Sequence, residues 1–284
     1  MSLIATVVFW PVVLSFRLVR SCYRMIVPNK ALEALPYQPP PLWLRLIVTF
    51  PLKLCNPLIV RGMSHVTELE AAESKAMAEA KKAPTAGSSG TKAATGVLFV
   101  GNRSMYGLDQ LLLLEAIEKG SGKYIRRLYS QQITWIPFMK QIWEYFGGMV
   151  SSMRCADELL EAKEWVLYYP GSRPAGIGGP RGLKLMWGEN TGFAALAIKH
   201  SATIVPFSSL GVWPSLQRQY LRLGEPISTA QYEKDWENED KCDELFSKVK
   251  GVVEQSMLKS QEIRSGDRPT WQEQLIFRLT YSTS

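Results

Sequence analysis

Two glycine-punctuated stretches carry the side chains best placed for chemistry. One runs Gly101-Asn102-Arg103-Ser104-Met105-Tyr106-Gly107-Leu108-Asp109. The other runs Pro170-Gly171-Ser172-Arg173-Pro174-Ala175-Gly176 and continues to Arg181 and Lys184. Glycine-rich turns offer backbone N–H groups, and the bases add charge-assisted hydrogen bonds, a combination that suits an anionic head group. Ser104 has the hydroxyl of a nucleophile but no base beside it. The chain has two histidines, His65 and His200, and four isolated cysteines at 22, 55, 155 and 242, with no CxxC pair. That supply argues against a zinc site or a disulfide framework and calls for no metal or resident cofactor.

Both stretches follow short apolar runs. VLFV (97 to 100) precedes the first and WVLYY (165 to 169) the second. Around them the pattern alternates extended runs with helical periods. Helices are expected near 107 to 119, 134 to 146, 154 to 163 and 190 to 200, and extended segments near 124 to 128, 148 to 152, 203 to 207 and 219 to 223. Such repetition predicts an α/β fold with a mostly parallel central sheet flanked by helices. Active sites in these sheets occupy loops at the carboxyl ends of the strands, where both stretches fall.

Five blocks in order carry a resemblance: GNRSMYGLD (101 to 109), FGGMVSSMRCADELL (146 to 160), YPGSRPAG (169 to 176), KLMWGENTGFAALAIKHSATIVPF (184 to 207) and LGEPI (223 to 227). Over residues 97 to 227 the chain resembles the glycerolipid and lysophospholipid acyltransferases, especially the diacylglycerol acyltransferase-like and phytyl ester synthase-like branch. The resemblance implies an acyl group taken from acyl-CoA or acyl carrier protein, and an acceptor whose phosphate is bound by the arginine of the third block, here Arg173. It also implies a general-base histidine in the first block, oriented by the aspartate that follows.

Arg103 stands at that histidine position. A guanidinium has no acceptor lone pair and a pKa above about 12, so it cannot take a proton from a hydroxyl. Asp109 is left as an orienting remnant without an imidazole, better read as a structural ion pair or a helix-start anion. The third block is one residue shorter than the pattern and lacks its acid. Neither histidine is an evident substitute. His200 ends a helix ahead of an extended run, which puts it at the amino edge, roughly 17–20 Å from the carboxyl edge. His65 follows the possible strand 57 to 61 and could reach the correct side.

The charge is uneven. Residues 1 to 62 hold seven bases against one acid, a net +6, while the remaining 222 residues hold 26 bases and 25 acids. A nucleic-acid binder would carry its bases on the body; a basic, apolar front end suits a membrane surface. Residues 3 to 16 are apolar but shorter than the roughly 20 a spanning helix needs. Arg17, Arg20 and Arg24 fall on one helical face, and a second apolar stretch, 42 to 60, is interrupted by Arg45, Pro51 and Lys53. Helices lying in one leaflet are expected, with Trp10 and Trp43 among the membrane-binding residues. An organelle transit peptide is the alternative.

Four regions follow: a membrane-associated helical region (1 to 62), a helical and flexible insertion (63 to 96) whose helix near 67 to 83 has no apolar stripe and reads as solvated, an acyltransferase-like core (97 to 230), and a C-terminal helical extension (231 to 284). The expected function is that of a pseudoenzyme: a membrane-bound, catalytically degenerate acyltransferase-fold protein acting as a lipid-binding or architectural subunit. Its expected partners are membrane lipids and subunits of a membrane assembly, without nucleic acid. The chloroplast, mitochondrial and endoplasmic reticulum membranes stay open. The competing function is an active O-acyltransferase with an unidentified base.

Overall fold

The computed structural model describes residues 57–82, 96–102, 109–129, 147–171, 191–211 and 218–267, together with residues 47, 49, 50, 53, 144, 185, 187 and 188. Seven strands form one sheet: β1 (Leu58–Arg61), β2 (Val97–Gly101), β3 (Ile125–Tyr129), β4 (Gly148–Val150), β5 (Trp165–Tyr168), β6 (Thr203–Leu210) and β7 (Gln219–Leu223). Their order is β1-β7-β6-β2-β5-β3-β4, and every neighbouring pair is parallel except β6 and β7. β1 and β7 therefore run opposite to the other five.

The helices are α1 (Met63–Lys82), α2 (Asp109–Ser121), α3 (Met153–Glu161), α4 (Gly192–Lys199) and α5 (Glu239–Gly266). β2 is apolar at every position through Val100 because both of its faces are covered, as buried parallel strands require. Leu98 and Val100 join Val166, Tyr168 and the inner sides of α3, α4 and α5. Val97 and Phe99 face the other way and pack with Trp165, Leu167 and the inner sides of α1 and α2. The result is a three-layer α/β/α body. The expected helix near 134 to 146 falls almost wholly outside the described residues.

α1 departs from the solvated helix that its composition suggests. Val66 is fully buried, and Glu73 is only 8% exposed. The Glu73 carboxylate receives Lys123 and, at 3.1 Å, the indole N–H of Trp165. The apolar side of α1 is hard to see in the sequence because a compensated carboxylate occupies part of its buried face. In β3, Arg126 and Arg127 are both fully buried in the sheet.

α3 begins at Ser152, whose hydroxyl accepts from Cys155 N at 3.1 Å. Both α3 and α4 end in the paired bonds of a Schellman turn: Lys163 N to Leu160 O with Glu164 N to Leu159 O, and Ser201 N to Ile198 O with Ala202 N to Ala197 O. The left-handed residues of these turns are Lys163 (φ 57°) and Ser201 (φ 51°). Glycine would take that conformation without the roughly 1–2 kcal/mol that a side chain costs there.

Candidate functional site

The carboxyl ends of β2, β5 and β6 meet where the chain leaves β2 for α2, with α2 on one face and α4 on the other. Gly101 closes β2 against Phe207. A Cβ there would stand 2.4 Å from the Phe207 carbonyl oxygen and 2.6 Å from its ring, so only glycine fits.

Asn102 is buried and extends the strand pairing by one step after the β2–β6 ladder ends at Gly101 and Phe207. Its Oδ1 accepts from Ser209 N at 2.7 Å, and its Nδ2 donates to Ser209 O at 2.7 Å. The side-chain amide thus acts as an extra peptide unit and anchors the turn immediately ahead of Arg103.

On the neighbouring strand, Tyr169 sets its ring edge-on to Phe207 at 5.7 Å, and Pro170 is buried. Gly171 opens the basic stretch. The far end of that stretch is pinned by Leu185 and Trp187, both buried in the aromatic cluster of Phe193 and Phe246. The described residues on either side of the basic stretch thus both belong to the body.

Two phenols at this edge are held in their protonated form. Burial, with Glu144 adding to it and Arg127 opposing, pushes the Tyr129 phenol up to about 12. Burial likewise raises Tyr168. At the start of α2, Gln110 is buried with its Oε1 unpartnered among the described residues. Asn102 lies within the first block, directly ahead of Arg103, where a carboxamide is a visible signal. Nothing local marks Gln110 or Tyr129.

Both histidines lie away from this edge. His200 caps α4 ahead of β6, with Nε2 2.7 Å from Asp157 Oδ1 and Lys199 Nζ at 2.7 Å from the same oxygen. Lys199 and then His200 hold the Asp157 carboxyl below its usual range, outweighing the opposing effect of its burial. His65 does not reach the carboxyl side. It follows β1, which runs opposite to β2, and neighbouring Met63 packs on Gly120, its sulfur 2.6 Å from where a Cβ there would stand. Gly120 lies eleven residues along α2 from Asp109, about 16 Å at 1.5 Å per residue.

No family model and no curated protein matches the sequence. A solved structure does match: the 1-acyl-sn-glycerophosphate (LPA) acyltransferase PlsC from Thermotoga maritima, with a TM-score of 0.51 and 14% identity, covering 91% of this chain and 97% of that one. The chain shares its fold with that enzyme.

Within this shared fold, Asn102 and Gly171 lie at the carboxyl edge, and Asp109 is the first residue of α2 at the same edge. Arg103, Ser104, Ser172, Arg173, Arg181, Lys184 and the side chain of Asp109 lie outside the described residues, as do Arg17, Arg20, Arg24, Trp10 and Trp43. No described group of three or more His, Cys, Asp or Glu residues could hold a metal ion. None of the described helices is long and apolar enough to cross a membrane.

Proposed function

We propose that this chain is a membrane-held, catalytically degenerate acyltransferase-fold protein that binds a phospholipid and serves as a lipid-binding or architectural subunit of a membrane assembly. One observation carries the reading: arginine occupies the position of the base, and the chain's two histidines sit away from that edge, His200 engaged by Asp157 and His65 near the far end of α2. General-base catalysis needs an acceptor within hydrogen-bond reach of the acyl acceptor's hydroxyl. Arg103 instead brings positive charge, as do the bases that follow Gly171 in the sequence, and such charge supports binding of a phosphate rather than proton transfer.

Attachment through residues 1 to 60 has support from the few described residues there. Thr49 and Lys53 turn inward, Lys53 pairing with the buried Glu115, while Ile47 and Phe50 turn outward, Phe50 66% exposed. Burial pushes the Glu115 carboxyl up, but Lys119, Lys53 and Thr49 together bring it below its ordinary value, so the inward contact is ionic. An element with one face ionically docked and the other apolar suits a lipid surface. The alternative, an active O-acyltransferase using acyl-CoA or acyl carrier protein, draws on the name of PlsC, which states a 1-acyl-sn-glycerophosphate acyltransferase.

Vesicle flotation with phosphatidic acid tests both halves of the reading. The full chain is expected to float, and a variant lacking residues 1 to 56, which keeps β1, to stay in the soluble fraction. With lysophosphatidic acid in native mass spectrometry, Arg173→Ala should bind roughly tenfold more weakly, the scale of one charge-assisted hydrogen bond. A truncated chain that still floats would remove the membrane assignment. Unchanged binding in Arg173→Ala would leave the loop bases as ordinary surface charge.

A further inference from the structure

At the opposite, amino edge of the sheet lies a cavity of about 580 Å³, within the size range of small-molecule sites. Its floor is apolar: Leu69, Ala72 and Ala76 form one stripe of α1, and Leu160 closes the end of α3. The rest of its lining is rich in donors. Lys163, Lys234 and the hydroxyls of Ser201, Thr203 and Ser228 contribute to it, and Glu161 is the exposed carboxylate among them. Glu73 at the wall is already neutralised by Lys123, and Lys199 by Asp157. Among the described residues Lys163 and Lys234 have no carboxylate within ion-pair distance.

Backbone conformation singles out the same place. Four described non-glycine residues have left-handed backbone, Lys163, Ser201, Glu233 and Lys234, and three of them line this cavity. Elsewhere such positions go to Gly62, Gly122, Gly147 and Gly188. Glycine would relax both Schellman turns, yet the lining keeps an ammonium at one and a hydroxyl at the other. Side chains held in costly conformations around a cavity mark sites under functional constraint.

The geometry points to a second ligand site at the amino edge, for a small amphipathic oxyanion whose apolar body rests on the α1 stripe and Leu160 and whose carboxylate or phosphate meets Lys163 and Lys234. A donor-rich lining beside an apolar floor selects that chemistry, since each oxygen of the anion accepts and none competes as a donor. The site is separate from the loop bases at the carboxyl edge and does not depend on the phospholipid reading.

Calorimetry on the full chain in neutral-lipid nanodiscs tests it, with hexanoate and hexyl phosphate as probes, hexanol as the uncharged control and empty discs as blank. Saturable binding is expected for either anion, and for hexanol none. Lys163→Gly and Lys234→Gly should each weaken it roughly fivefold, while thermal stability holds or rises because the left-handed backbone is relieved. Binding of one anion alone would fix the head group as carboxylate or as phosphate. Absence of binding, equal binding of hexanol, or affinity unchanged in both lysine variants would overturn the site. Binding that is lost in Arg173→Ala and kept in both lysine variants would assign it to the carboxyl edge instead.

Discussion

Purified full-length protein given acyl-CoA with lysophosphatidic acid or diacylglycerol is expected to release little or no CoA above the rate without protein. A positioned general base contributes roughly 10²- to 10⁴-fold, or about 3–5 kcal/mol of barrier, and a guanidinium at position 103 supplies none of it. Arg103→His should restore an imidazole six residues ahead of Asp109, and with it part of the lost rate. Recovery stays partial because the third block is shortened and lacks its acid, so the acceptor is still held differently. Robust wild-type turnover that Asp109→Ala abolishes would overturn the degenerate reading and identify the working residue. Silence from both wild type and Arg103→His would mean that the pocket itself has been remodelled, which favours an architectural role.

Replacing Asn102 should unsettle the same edge through stability. Asn102→Ala leaves the N–H and the C=O of Ser209 buried without their partners, and each orphaned group costs about 1–3 kcal/mol. A loss of about 3 kcal/mol is expected, a fall of roughly 6–10 °C in thermal midpoint for a domain of this size. Asn102→Asp should also destabilise, because it keeps an acceptor for Ser209 N but sets a carboxylate against Ser209 O. Ser209→Ala preserves the backbone pair and loses only the hydroxyl that accepts from Gln219 Nε2 at 3.1 Å, so its effect should be near 1 kcal/mol or less. Thermal melts of the three variants would settle the order. Asn102→Ala melting with wild type would show that water replaces the amide at no cost.

Some of this protein was decided by residue identity. Arg103 cannot be a general base in any fold, because the limit lies in the guanidinium itself. The supply of two histidines restricts what could replace it, and the apolar runs of β2, β5 and β6 announce a covered, mostly parallel sheet through composition alone. Other properties came only from the tertiary structure. His65 follows a strand whose direction local periodicity does not encode; reversal of β1 and β7 relative to β6 carries that histidine away from the site. The burial of α1 was hidden because Glu73 needs Lys123 and Trp165, partners 50 and 92 residues distant, to occupy an inward position. Asn102 gains its role from Ser209, 107 residues away. The amino-edge cavity exists because the ends of α3 and α4, one face of α1 and the segment after β7 converge in space. Local pattern reports which side of an element is apolar, whereas strand direction and long-range polar pairing depend on how the whole chain closes on itself.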